Sequence, residues 1–194
     1  MSASIAKLVF LLALVLFGAI RFPREWRALK APVARVDAGW REWVGVIGAA
    51  VGLGILPVMV AVGRIARFAD WEFRPVLAWI GVLLFAVALY LFHAAHRELG
   101  RNFSSCLVVR QSHTLVTQGI YAYVRHPMYT AFWLWAVAQT LLLQNWLVGI
   151  GGLLGFGILF FGRVAQEEQL MRETFGEQYD AFAKRTKRLV PWIY

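Results

Sequence analysis

The sequence predicts an all-α integral membrane protein with about five transmembrane helices, a short helical hairpin among them, and a C-terminal amphipathic helix. Of its 194 residues, 60% are hydrophobic and 16% are charged, whereas a soluble domain is about half apolar and a quarter charged. Five apolar runs alternate with basic loops. We therefore expect one membrane domain, residues 1–194, whose active site is built from membrane helices and their loops.

The first three apolar runs, residues 5–20, 43–62 and 76–95, approach the roughly 20 residues that cross a hydrocarbon core. They predict a set of N-terminal spans within residues 1–96. The first run has an alternative as a cleaved signal peptide, because Lys7 precedes the apolar stretch. The arginines that follow it, beginning at Arg21, instead favour a cytoplasmic anchor.

The second run carries glycines at helical spacing. Gly45, Gly48 and Gly52 fall on one helix face, where the missing side chains permit close helix packing, within the chain or in a dimer. Pro57 predicts a kink in the same helix.

The last two runs, residues 131–143 and 146–162, are joined only by Gln144 and Asn145. So short a connection predicts an antiparallel helical hairpin, which either crosses the membrane or enters it partway. Beyond the hairpin, an apolar stripe at helical spacing predicts an amphipathic helix with a weak point at Gly176. The stripe consists of Met171, Phe175, Tyr179 and Phe182.

The net charge of +9 comes from loops between the apolar runs. This distribution is typical of basic loops that contact lipid headgroups, and it argues against a nucleic-acid partner. With five crossings, the first and third loops and the tail lie on one side of the membrane. Their basic residues predict that this side is cytoplasmic. We therefore expect a protein of the cytoplasmic (inner) membrane whose C-terminus and active-site loops face the cytoplasm. The single cysteine, Cys106, excludes an intramolecular disulfide and a Cys-based zinc site.

Polar and aromatic residues converge in the third loop, residues 97–130, just before the hairpin. Pro127 restricts His126 to an extended backbone and can begin the next helix, whose first N–H groups would then be available to an anion. Gly119 permits a turn. The alternative for Arg125 and His126 is a snorkelling position at the membrane interface.

A second polar cluster, Arg163, Glu167 and Glu168, follows the last apolar run. Arg163 and Glu167 are four residues apart and can pair on one helix face, while Glu168 points about 100° further round. Adjacent carboxylates at the end of a membrane helix indicate a nearby cation or a cavity.

Three sequence blocks, in this order and at these spacings, resemble isoprenylcysteine carboxyl methyltransferases and, more loosely, phospholipid N-methyltransferases. The blocks are His113-Thr-Leu-Val-x-x-Gly119-x-Tyr121, Arg125-His-Pro-x-Tyr129 and Arg163-x-x-x-Glu167-Glu168. The resemblance covers about residues 100–191, including the closing Arg188-Leu-Val-Pro191. It makes residues 97–194 the predicted cofactor-binding and catalytic region.

The resemblance implies an S-adenosylmethionine-dependent membrane methyltransferase that requires no metal. It implies that the cofactor is bound by His113, Thr114, Leu115, Val116, Gly119, Tyr121, His126, Pro127, Met128, Tyr129, Glu167 and Glu168. Arg163 and Glu167 are the predicted catalytic residues. Arg163, Trp133 and Gln139 are the predicted substrate-binding residues, with helix packing as the alternative role of Gln139.

The preferred acceptor is the carboxylate of a lipophilic, isoprenylcysteine-like molecule that enters from the bilayer. A carboxylate is ionised at neutral pH and needs a cation such as Arg163 rather than a base. A phospholipid amine would need Glu167 or Glu168 as its base. A sterol-reductase-like NADPH oxidoreductase and a non-enzymatic membrane scaffold are the remaining alternatives. The expected partners are the acceptor and membrane lipids, and the oligomeric state is left open.

Overall fold

The computed structural model is almost entirely helical and describes residues 1–29, 35–36, 39–63, 65–100, 108–109 and 114–194. Its α-helices are α1 (Ala3–Leu29), α2 (Trp40–Ala50), α3 (Leu56–Gly63), α4 (Pro75–Leu99), α5 (Pro127–Leu143), α6 (Trp146–Phe175) and α7 (Glu177–Arg185). A π-helical turn (Val51–Ile55) joins α2 to α3, and two short 3₁₀ helices (Arg67–Ala69 and Gly119–Ala122) lie in loops. Two-residue strands β1 (Arg35–Val36) and β2 (Val108–Val109) pair antiparallel.

Four helical segments of the described chain are long and apolar enough to cross a membrane. They are Ala3–Trp26, Glu42–Gly63, Pro75–Leu99 and Trp146–Phe175. The membrane fold is therefore confirmed, but a count of five spans is not. Helix α5 has 17 residues, about 25 Å of helix, which is shorter than a hydrocarbon core of about 30 Å.

The glycine face of the second span packs against α6. The carbonyl oxygen of Gly155 lies 3.3 Å from the position that a Cβ on Gly48 would take, and a Cβ on Gly52 would collide with the carbonyl of Gly151. The two helix backbones are in direct contact here, as the glycine spacing predicts. The predicted close packing thus occurs within the chain.

A π-helical turn lies just before Pro57, where the sequence predicts a kink. Proline has no N–H for the carbonyl four residues earlier, that of Leu53. The indole of Trp135 donates to this carbonyl at 3.3 Å, and the amide of Gln139 donates to the carbonyl of Gly52 at 2.9 Å. Both donors come from α5, so the hairpin compensates for the broken hydrogen-bond pattern of the second span.

Aromatic rings join α1, α4 and α5 into the main core. Phe17 stacks on Phe92 at a centroid distance of 4.6 Å and meets Trp135 edge to face at 5.2 Å. Phe85 contacts the same indole at 4.6 Å. The first span is therefore packed against the helices that carry the candidate site.

The hairpin turn is held to the loop between α3 and α4 by buried polar groups. The side-chain amide of Gln144 exchanges hydrogen bonds with the backbone of Arg74, at 2.7 and 2.9 Å. Asn145 caps α6 through Val148 and donates to Asp70 at 2.7 Å. The paired strands β1 and β2 connect the first loop with the third, as the predicted sidedness of the loops requires.

The C-terminal helix differs from the predicted one in where it starts. Helix α6 continues without a break through Gly162 and ends at Phe175, and Gly176 (φ +52°) turns the chain into α7. The break at Gly176 falls where the sequence predicts a weak point, because a positive φ favours glycine. Tyr179 and Phe182 are buried against Ala95 of α4, so the tail is packed on the domain.

The contact between α2 and α6 predicts opposite outcomes for two neighbouring glycines. Gly52→Ala should lower the free energy of unfolding by about 1–3 kcal/mol, because its methyl group collides with the Gly151 backbone. Gly54→Ala, whose Cβ meets nothing within 4 Å, should leave stability unchanged or slightly raised. Thermal unfolding of both variants in one detergent, followed by tryptophan fluorescence, measures this; equal melting temperatures would contradict the packing.

Candidate active site

The chain segment before α5 is held in place by the C-terminal tail. The backbone N–H groups of Arg125 and His126 donate to the carbonyls of Lys187 and Arg188, at 2.7 and 3.0 Å. Thr130 donates to the carbonyl of Leu189 at 2.8 Å. Helix α5 begins at Pro127, as predicted, so this strand-like pairing fixes where His126 enters the helix.

The carboxylate of Glu168 is the centre of this arrangement. It is 1% exposed and accepts hydrogen bonds from Arg125 at 3.0 Å and from Arg188 at 2.8 and 3.1 Å. The hydrogen bond to this carboxylate raises the pKa of Arg188 above its ordinary value. A buried carboxylate with two guanidinium partners is well compensated. Glu168 therefore joins α6 to the tail and to the segment before α5. The cofactor-binding role that the resemblance implies for it stays a prediction.

Glu167 lies about 100° round α6 from Glu168 and meets the start of α5. The phenol of Tyr129 donates to its Oε2 at 2.6 Å, and Nδ1 of His126 lies 3.7 Å from the same oxygen. The ring of His126 also stacks on Tyr129 at a centroid distance of 5.4 Å. The side chain of Glu167 keeps 27% exposure, so its carboxylate is oriented by the protein and still accessible to a ligand.

Arg163 lies one helical turn before Glu167, and its side chain is 10% exposed. Its Nη2 is 4.0 Å from Glu167, while its Nη1 is 3.2 Å from a carboxylate of the second span, Glu42. The predicted pairing of Arg163 with Glu167 is therefore the longer of two contacts. A guanidinium between two carboxylates is held at a defined position on α6.

An aromatic and aliphatic cluster borders these charged groups. Buried Tyr121, Tyr179 and Phe182 pack with Leu115, Val116 and Met128. Burial, and after it the charges of Glu167 and Glu98, raise the pKa of Tyr121 above its ordinary value, so its phenol stays neutral. Burial likewise raises the pKa of Tyr179 to about 12.

The turn at Gly119 has a positive φ of 62° and lies against the carboxylate of Glu98. A Cβ at Gly119 would come within 2.6 Å of that carboxyl carbon. The positive φ favours glycine at this position, whereas the flexible Glu98 side chain could move aside for a methyl group.

The predicted site residues divide into three groups. The structure brings together Leu115, Val116, Gly119, Tyr121, His126, Pro127, Met128, Tyr129, Arg163 and Glu167. His113 lies outside the described residues, and Thr114 is exposed beside the cluster. Glu168 is nearby but is used for ion pairing.

The two predicted substrate-binding residues of α5 lie in different surroundings. Trp133 is one turn beyond Tyr129, among Phe156, Phe160 and Phe161 of α6. Gln139 is 0% exposed and donates to backbone carbonyls of other helical segments, ten residues and about 15 Å along α5 from Tyr129. The structure therefore keeps Trp133 beside the site and places Gln139 in helix packing.

Sequence reasoning missed three charged residues that build this region: Glu42, Arg125 and Arg188. Arg125 opens the second sequence block and Arg188 opens the closing Arg188-Leu-Val-Pro191 segment. Their presence beside motif residues was the only signal, because each is far from Glu168 in sequence. Glu42 gave no signal beyond being an acidic residue at the start of an apolar run.

The Glu168 ion pairs predict a large loss of stability on neutralisation. Glu168→Gln should lower the free energy of unfolding by about 3–5 kcal/mol, because it leaves Arg125 and Arg188 facing an uncharged group in a buried place. Glu177→Gln, at an exposed position of α7, is the matched control. Melting temperature and release of the C-terminus by limited proteolysis measure the effect. A Glu168→Gln variant as stable as the control would refute the stabilising role of the Glu168 ion pairs.

The comparisons with known proteins agree on one family. The model of the isoprenylcysteine carboxyl methyltransferase (ICMT) family matches residues 79–173, from α4 into the last turns of α6. The chain is 31% identical over 141 residues to protein-S-isoprenylcysteine O-methyltransferase B of Arabidopsis thaliana, covering 72% of both chains.

Two further relatives carry the name protein-S-isoprenylcysteine O-methyltransferase. The Schizosaccharomyces pombe protein is 35% identical over 106 residues, which cover 54% of this chain and 45% of the relative. The human protein is 31% identical over 128 residues, or 63% and 45% of the two chains. The chain thus spans about half the length of these two relatives.

The fold is similar to the solved structure of the eukaryotic intramembrane Ras methyltransferase ICMT. The TM-score is 0.55 at 22% identity, over 81% of this chain and 55% of that one. With this fold, and with a relative matched over nearly three quarters of both sequences, the chain belongs to the isoprenylcysteine carboxyl methyltransferase family.

Proposed function

We propose that this chain transfers a methyl group from S-adenosylmethionine to the carboxylate of a lipophilic, isoprenylcysteine-like acceptor. The observation that carries the proposal is the pair on α6: an oriented, partly exposed carboxylate, Glu167, and a buried guanidinium, Arg163, held 4.0 Å apart. One group suits a cationic cofactor and the other an anionic acceptor.

The residues present fit the charged and aromatic parts of S-adenosylmethionine. Glu167 receives a phenol hydrogen bond from Tyr129 yet remains 27% exposed, so it can also accept from an ammonium group. The rings of Tyr129 and Tyr121 favour a sulfonium by cation–π contact, and Leu115, Val116 and Met128 offer an apolar wall. His126, held by the tail, orients the Glu167 side of this pocket.

In this reaction the main task of the protein is to position the acceptor relative to the methyl donor. When bound, S-adenosylmethionine supplies a methyl group that its own sulfonium has already activated. Arg163 then holds the acceptor carboxylate, Glu167 and Tyr129 fix the other end of the site, and the surrounding aromatic rings exclude water. Alignment of this kind can lower a barrier by several kcal/mol.

The carboxylate acceptor is favoured over an amine by the state of Glu168. An amine would need Glu167 or Glu168 as its base. Glu168 is engaged by Arg125 and Arg188, and the proposal assigns Glu167 to the ammonium group of the cofactor. The relatives named above are O-methyltransferases, and no comparison favours the phospholipid amine, reductase or scaffold alternatives. Trp133 and the exposed Phe161 extend from the site along the hairpin toward lipid, which supports acceptor entry from the bilayer.

We propose that the chain lies in the cytoplasmic (inner) membrane and that its C-terminus and active-site loops face the cytoplasm. The segment preceding α5 and the tail meet on one side through Arg125, Arg188 and Glu168, and these are arginine-rich segments of the kind found on the cytoplasmic side. The cofactor would then reach the site from the cytoplasm.

Cofactor binding tests the first half of the proposal. Titration calorimetry of the detergent-purified protein should detect S-adenosylmethionine and S-adenosylhomocysteine at micromolar affinity, with NADPH giving no heat. Glu167→Gln should weaken binding at least tenfold, because the ammonium loses its carboxylate, whereas Glu173→Gln on the exposed face of α6 should not. Binding of NADPH alone would replace the proposal with the reductase alternative.

Acceptor kinetics test the second half. Arg163→Gln should raise the KM for a farnesylated cysteine derivative at least tenfold, about 1.4 kcal/mol, and leave the cofactor affinity within threefold. The methyl-transfer rate should be flat from pH 6 to pH 8, since a carboxylate is ionised throughout. A rate that climbs with pH across this range, or transfer to a phospholipid amine, would identify the amine acceptor instead.

A further inference from the structure

The acceptor side of the site contains a residue from the N-terminal half of the chain. Glu42 lies in the first turn of α2, outside the matched residues 79–173. Its carboxylate is 3.2 Å from Nη1 of Arg163, and its side chain is only 7% exposed.

The surroundings of Glu42 are unusual for a carboxylate that serves stability. Both of its oxygens are buried, and among the described residues neither accepts a hydrogen bond. Within the described part of the chain, Glu42 forms an ion pair with Arg163. A buried ion pair without aligned hydrogen bonds to its carboxylate contributes little to folding stability, so the position of Glu42 indicates a role toward the group that it contacts.

Two carboxylates, those of Glu42 and Glu167, compete for the guanidinium of Arg163. Arg163 and Glu167 are four residues apart on one face of α6, a spacing at which a guanidinium and a carboxylate ordinarily close into direct contact. Here they stay 4.0 Å apart. Glu42 attracts the other terminal nitrogen of the guanidinium, and Tyr129 holds the Glu167 carboxylate from its far side.

We infer that Glu42 is a positioning residue of the acceptor site, which holds Arg163 away from Glu167 so that the guanidinium faces the acceptor carboxylate. This inference rests on the proposed function and extends it to the second span. Glu42 is itself firmly placed, because Gly45, three residues on, packs directly against the backbone of Leu159 on α6. Without Glu42, Arg163 would close on Glu167 and lose its orientation toward the acceptor.

The test is Glu42→Gln, which keeps the shape of the side chain and removes its charge. Kinetics with a labelled methyl donor and a farnesylated cysteine derivative should show an acceptor KM at least tenfold higher. Acceptor affinity, measured by calorimetry with S-adenosylhomocysteine present, should fall by the same factor, while cofactor affinity changes less than threefold. Glu25→Gln, a carboxylate paired with Arg21 on α1, is the matched control and should bind the acceptor normally.

A double-variant cycle separates positioning from a structural role. If Glu42 acts through Arg163, Glu42→Gln should weaken acceptor binding in the unsubstituted protein and have no further effect in the Arg163→Gln variant. Equal losses in both backgrounds, or an unchanged acceptor affinity in a protein that transfers methyl groups, would overturn the inference alone. If Glu42→Gln does not fold, Glu42→Ala, which also removes the charge, replaces it, and a folded Ala variant with normal acceptor affinity would also overturn the inference.

Failure of the proposed function would look different. A protein that binds S-adenosylmethionine and the acceptor but transfers no methyl group to a carboxylate would refute the function, whatever Glu42 does.

Discussion

The ionised carboxylate of Glu168, almost completely removed from solvent, is the constraint on which the rest of the site depends. Such a charge is tolerated only with close cationic partners, and the two nearest guanidinium groups, those of Arg125 and Arg188, come from the segment before α5 and from the tail. Satisfying one residue of α6 therefore brings three parts of the chain together. The hydrogen bonds between the backbones around His126 and Arg188 follow from that meeting.

Adjacent carboxylates on α6 take different roles because a helix turns 100° per residue. Glu168 points toward the tail and is saturated by guanidinium groups, whereas Glu167 points toward α5 and keeps room for a ligand. Consecutive residues thus have separate roles: Glu168 fixes the surrounding segments, and Glu167 is available to bind a ligand. Arg163, one turn earlier, extends the same face toward the second span.

Patterns along the chain predicted the helices well, because apolar runs of membrane length have few other structures available to them. The spacing of Gly45, Gly48 and Gly52 predicted a close contact, although not that α6 would be its partner. The motif blocks located His126, Tyr129 and Glu167. Contacts such as that of Arg125 with Glu168, 43 residues apart, follow from tertiary packing and have no periodic signal. Glu42 was missed for the same reason, since an acidic residue in the first turn of a helix is ordinarily explained by the helix dipole.

The irregular turn before Pro57 has a consequence for how this architecture can vary. Two backbone carbonyls of the second span depend on Trp135 and Gln139 of the hairpin for their hydrogen bonds, in a setting where lipid offers no substitute. The motif-poor N-terminal half and the motif-rich C-terminal half are therefore matched parts. Consider a chimera that joins the N-terminal spans of this chain to the hairpin of another family member. It would contain Pro57 but would lack the hydrogen-bond donors of Trp135 and Gln139 wherever the other hairpin has different residues at those positions. Exchanges of acceptor specificity between relatives should succeed only when both segments are transplanted together.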